Sequence, residues 1–126
     1  MRLNLLLIFI FNSALGFSQQ AELKFKDKVH RFGKVEEGAQ LDYSYRFTNT
    51  GNAPLIFYKY EAACACTIID FPDAPILPGE KGVVSVSFDT KGKIAYQDRN
   101  VTIYSNALKS PHDIRFTVYV KTEINK

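Results

Sequence analysis

An all-β fold, an antiparallel sandwich of about seven strands, is predicted by three observations on this 126-residue chain. First, apolar and polar residues alternate with period two in several segments, as in strands with one buried and one wet face. Second, no segment beyond the amino-terminal leader holds a helical period. Third, aromatic residues make up 13% of the chain, ten Phe and seven Tyr with no Trp, and these side chains pack well on a pleated surface. The length is that of one domain.

The elements follow in order. Residues 23–32, with Leu23, Phe25 and Val29, supply a first and less regular strand. Residues 40–49, QLDYSYRFTN, are the cleanest: Leu41, Tyr43, Tyr45 and Phe47 alternate with Asp42, Ser44, Arg46 and Thr48. The run Asn49-Thr50-Gly51-Asn52 ends that strand, because Asn and Gly tolerate positive φ in tight turns. Residues 54–60, PLIFYKY, form the next strand, apolar on both faces at its start, and residues 67–70, TIID, a short one. Pro72, Pro75 and Pro78 with Gly79 make a connecting loop. Residues 83–89 alternate again with Val84, Val86 and Phe88 on one face. Residues 99–105 turn Val101 and Ile103 inward, and residues 113–121 turn Ile114, Phe116, Val118 and Val120 inward.

Short strands separated by turn signals in roughly a hundred residues form the pattern of an immunoglobulin-like sandwich. The Cys…Trp…Cys core of that class is absent, so rows of aromatic and branched side chains must hold the sheets together. At roughly 25 cal/mol per Å² of apolar area, about a dozen such side chains suffice.

The leader, residues 1–18, belongs to a different physical class. MRLNLLLIFIFNSALGFS carries Arg2, an apolar run from Leu5 to Phe11, and then small residues at Ala14, Gly16 and Ser18. That is the anatomy of a secretory signal peptide, with cleavage expected after Ser18. The apolar run is short for a bilayer span, and an uncleaved anchor is the alternative. No cysteine lies near the cleavage point, which argues against a lipoprotein anchor. The expected organisation is a signal peptide over 1–18 and one sandwich domain over 19–126, exported to the periplasm or outside the cell.

The formal net charge is +3. Cations stand singly between acids, as in KFKDKVHRFGKVEEG, which reads as a mixed, solvated surface. A nucleic-acid partner is therefore not expected. Contact with a membrane is expected only through an uncleaved leader.

A set of signposts runs through nearly the whole chain after the leader. They are Phe32-Gly33-x-Val35 with Gly38; Phe47-x-Asn49-Thr50-Gly51 followed by Pro54-Leu55; Cys64-Ala65-Cys66-Thr67; Pro78-Gly79-Glu80; Phe88-Asp89-Thr90; and Ser105-Asn106. In order and spacing they resemble the bacterial domain-of-unknown-function family 1573, an immunoglobulin-like group related to Hydin-like domains. The resemblance implies an exported β-sandwich and no established activity. That family most often has Gly where Ala65 stands. Read from the residues themselves, Asn49, Asn106, Pro78 and the glycines are turn chemistry that needs no ligand.

Cys64 and Cys66 are the residues closest to a chemistry. In a straight strand they would point to the same face about 6.6 Å apart, whereas bridged cysteines hold their Cβ atoms at about 3.8 Å. A local disulfide therefore needs a bend at Ala65. If that bend is left-handed, a non-glycine residue costs roughly 1–2 kcal/mol. Such a bridge would close a very small loop, add little to stability and be easily reduced. Alternatively the two thiolates grip a soft metal, Cu(I) or Zn²⁺, with His30 and His112 as distant helpers. Structural thiols and thiol redox chemistry complete the set.

Other motifs carry less. Ser110-Pro111-His112-Asp113 holds the residue types of a hydrolase triad but reads as one turn, and no oxyanion hole accompanies it. The sequence thus predicts an exported, non-enzymatic domain without a cofactor, binding or scaffolding a protein or another envelope component. Ile56, Tyr58 and Tyr60 on the second face of PLIFYKY are candidate contact residues. The alternative function is a Cys-x-Cys metal or thiol redox site at Cys64 and Cys66.

Overall fold

The computed structural model describes residues 18–123. Residues 1–18, where the sequence leads one to expect a signal peptide, fall outside the described residues apart from Ser18. Eight strands follow in order: β1 (Leu23–Phe25), β2 (Val29–Glu36), β3 (Gln40–Asn49), β4 (Phe57–Ala62), β5 (Thr67–Asp70), β6 (Lys81–Asp89), β7 (Ala95–Ser105) and β8 (His112–Lys121). They form two four-stranded sheets, ordered β1-β3-β6-β5 and β2-β8-β7-β4. The described residues contain no helix. This is the predicted immunoglobulin-like sandwich.

The inward rows are those the alternation names. Tyr45 and Phe47 on β3, Val84, Val86 and Phe88 on β6, Val101 and Ile103 on β7, and Ile114, Phe116, Val118 and Val120 on β8 are all exposed by 2% or less. Aromatic edges join the layers and the strands within them: Phe88 approaches Phe116 across the sandwich with centroids at 5.1 Å, and Phe32 of the neighbouring β2 meets the same ring at 5.7 Å. The Tyr45 hydroxyl crosses the sandwich and donates to the Arg115 carbonyl at 2.6 Å. Burial holds this phenol far above its ordinary pKa, with neighbouring Tyr43 adding to the shift, so it stays a donor.

The predicted first strand is two strands in different sheets. Three consecutive charged residues, Lys26-Asp27-Lys28, break the alternation, and all are exposed where the chain crosses between sheets. The chain keeps its direction, so β2 pairs parallel to β8 while every other ladder is antiparallel. A bulge between Arg31 and Lys34, with Gly33 at φ 77°, shifts that register. A second difference concerns PLIFYKY. Its strand begins at Phe57, and Leu55 instead makes an isolated bridge to Ile76.

Asn49 closes one end of the sandwich. It is fully buried. Its Nδ2 donates to the carbonyls of Ala53 and Ile76 at 2.8 and 2.9 Å, and its Oδ1 accepts from Glu22 and Gly51 amides at 3.3 and 3.0 Å. Its own backbone bonds to Glu80 and Gly79. Asn106 holds the same loop from the other sheet, accepting from Ile56 N–H at 2.8 Å and donating to the Pro54 carbonyl at 2.9 Å. Both residues act across long sequence distances, beyond the local turns the sequence suggests for them. At Gly51 a Cβ would fall 2.1 Å from the Gln20 carbonyl oxygen, so only glycine fits beside that backbone.

Two outcomes test this closure. Asn49→Ala strands buried amides and carbonyls and is expected to lower unfolding free energy by about 3 kcal/mol or more in urea melts. Gly51→Ala is expected to destabilise by about 2 kcal/mol or more in the same assay, because the amino-terminal segment must be displaced.

Candidate functional site

Cys64 and Cys66 lie in the turn between β4 and β5 and are joined by a disulfide, with Cα atoms 5.1 Å apart. The chain is bent there, as closure requires: Thr67 N–H donates to the Cys64 carbonyl at 3.2 Å. Positive φ among non-glycine residues occurs at Ala95 and Lys109, so Ala65 makes the bend without a left-handed conformation. Both cysteines are half-buried, Cys66 rests against the core, and its carbonyl accepts from Asp89 N–H at 3.0 Å. Bridged sulfurs are not thiolates, so metal binding at this pair requires prior reduction. The described residues contain no group of three or more His, Cys, Asp or Glu placed to hold an ion.

The histidines serve other surroundings. His30, on β2, stacks on Tyr43 with ring centroids 3.6 Å apart and meets Phe32 edge-on. Burial lowers its pKa. His112, at the start of β8, is lowered first by burial and then by Lys28, while Asp113 opposes the shift. Ser110, His112 and Asp113 are not assembled into a triad: Ser110 Oγ accepts from Ser105 N–H, and Asp113 accepts from the Thr102 hydroxyl.

PLIFYKY divides. A bulge between Phe57 and Lys59 changes which residues face outward. Ile56 and Tyr58 are exposed by 39% and 61%, but Tyr60 turns inward and meets the Phe71 ring edge-on at 6.4 Å. Outward on this strand stand Lys59 and Glu61, both engaged with Tyr104 of β7.

One feature is absent from the linear reading. On the outer face of the β1-β3-β6-β5 sheet, Lys24, Thr48 and Lys81 align across three strands. Arg46 lies two residues from Thr48 on the same face, and Lys26 N–H donates to the Arg46 carbonyl at 2.9 Å. Lys24, Lys26, Arg46 and Lys81 line a shallow concavity of about 710 Å³ whose lining holds no acid. The ion pairs Lys59–Glu61, Arg115–Asp98 and Lys121–Glu36 all lie elsewhere. Carboxylates border the patch at Glu22, bonded to the Thr50 hydroxyl, and at Asp27. These cations are far apart in sequence, and only strand pairing gathers them.

An open, all-β immunoglobulin-like domain is the class these sheets define. Residues 23–120 match the family described as protein of unknown function (DUF1573), and the chain belongs to that family. Among solved structures it is similar to a protein of unknown function from Porphyromonas gingivalis W83, at 14% identity and TM-score 0.72, over 84% of this chain and 50% of that one. It thus spans half the length of that protein. It is also similar to the ASH/PapD-like domain 7 of human CEP192, at 13% identity and TM-score 0.61, covering 82% of this chain and 86% of that domain. The secreted serine protease VesC from Vibrio cholerae matches over 79% of this chain and 23% of its own, at 17% identity and TM-score 0.60. At these identities the likeness is one of fold. A search of curated proteins found no match.

The histidines give a pH test. Folding lowers both imidazole pKa values from 6.5. Their contribution is present above that value and is lost as pH falls through it towards the folded values. The carboxyl of Asp98, held low by its hydrogen bond to Arg115, adds a loss in the more acidic range. The urea midpoint is expected to drop between about pH 7.5 and pH 5.5, and a His30→Asn/His112→Asn double variant is expected to flatten that drop.

Proposed function

We propose that this chain is an exported, non-enzymatic domain that binds or scaffolds a protein or another component of the cell envelope. The observation that carries the reading is the open architecture. Each sheet ends in lateral strands, β1 and β5 in one and β2 and β4 in the other. Lateral strands carry backbone groups able to take up an extended segment, and the faces beside them supply selectivity. The leader-like composition of residues 1–18 supports export. So does the Cys64–Cys66 bridge, because disulfides persist outside the cytoplasm.

The half-exposed position of that bridge also favours a second reading, a thiol-exchange site whose reduced form presents two thiolates to a soft metal. Intact mass with thiol counting on protein from its native compartment is expected to show a closed bridge that opens on reduction. The Cys64→Ser/Cys66→Ser variant is expected to fold, with unfolding free energy changed by about 1 kcal/mol or less, since the closed loop is so short. Photo-crosslinkers at Lys24 and Tyr58 are expected to capture an envelope partner in both backgrounds. Capture lost from the double variant while its fold survives would move the function to the cysteines, and no capture from any lateral strand would defeat the binding reading.

A further inference from the structure

The cationic concavity adjoins the lateral edge of β1, which Leu108 N–H caps at the Ala21 carbonyl and Arg115 N–H bounds at the Lys28 carbonyl, leaving the stretch at Leu23 and Phe25 between them. Along β1 and the residues flanking it, the backbone groups of even-numbered positions face β3: the Glu22 carbonyl accepts from Thr50 N–H, Lys24 pairs with Thr48, and Lys26 N–H donates to the Arg46 carbonyl. Leu23 and Phe25 therefore turn their amides and carbonyls away from the sheet, on its lateral side. We propose that this edge takes an extended acidic peptide, which adds as a strand to β1 and sets carboxylates at alternate positions over Lys24, Lys26 and Arg46. The proposal rests on the binding reading above and names its partner chemistry.

Two features favour a peptide over other anions. Side chains at i and i+2 of an added strand lie on one face about 6.6–6.8 Å apart, the same step that separates Lys24 from Lys26. A lipid surface or a sulfated polymer would use the cations and leave the Leu23 and Phe25 backbone unpaired. Lysines on a lateral strand also discourage self-pairing, which accounts for Lys24 and Lys26. It does not account for Arg46 and Lys81, which stand on the interior strands β3 and β6. Further along the same face Asp42 accepts from the Ser87 hydroxyl, and at the patch itself Glu22 is held by the Thr50 hydroxyl, so the cations of the concavity lie between bonded carboxylates.

The test is fluorescence anisotropy on the purified protein with a labelled peptide of about ten residues alternating Glu with Val or Thr. Saturable binding is expected. It should weaken about tenfold in a Lys24→Glu/Arg46→Glu variant whose melting curve is unchanged. It should also weaken several-fold between about 50 and 300 mM salt. A peptide of the same sequence, N-methylated at alternate amides that would face β1, is expected to lose binding, because charge is kept while the ladder is blocked. Equal binding of the methylated peptide, or indifference to the charge reversal, overturns the proposal. Binding of heparin or phosphatidylglycerol vesicles that the peptide fails to displace overturns it as well. If the peptide fails while crosslinking at Tyr58 still captures a partner, the acidic-peptide site is refuted and the binding reading stands.

Discussion

The buried amide of Asn49 is the interaction on which the rest of this sandwich depends. An amide with no exposure must satisfy its donors and acceptor within the protein, and this one does so on groups from separate segments. It joins the residues leading into β1, the turn after β3 and the loop before β6. Those segments share no apolar row long enough to align themselves. The amide fixes where β1 begins on β3, and the packing of Leu23 and Phe25 against the core follows from that register.

The crossing of the first strand is the second constraint. Had residues 23–36 stayed in one sheet, the alternation that turns Leu23 and Phe25 inward would have placed the Asp27 carboxylate against the core. By crossing, the chain keeps Lys26, Asp27 and Lys28 wet and sets Phe32 beside Phe116 of the neighbouring β8, facing Tyr43 of the other sheet. The crossing also shortens β1. The patch of Lys24, Lys26, Arg46 and Lys81 follows from the same geometry, because β1 covers only the last residues of β3.

The disulfide turn shows how a local argument can be right in its geometry and open in its outcome. A straight Cys-x-Cys strand cannot close a bridge, and here the chain is bent. The bend is held by Thr67 N–H on the Cys64 carbonyl and by Asp89 N–H on the Cys66 carbonyl. The second of these bonds comes from another strand, which nothing near residues 64–66 announces. For Tyr60 the alternation pointed to the wrong face, because a one-residue bulge at Tyr58 inverts everything after it.

By itself the sequence determined the sandwich, the span of β3 and the inward rows of β6, β7 and β8, because period-two alternation is written into neighbouring residues. It also displayed the residues of DUF1573 in their order. Tertiary structure alone decided the split of the first strand, the bulge in β4, the long reach of Asn49 and Asn106, and the gathering of cations on one face. Each of these depends on which strands pair and in what register. That choice is made by contacts between residues distant in the chain, and local patterning carries no record of them.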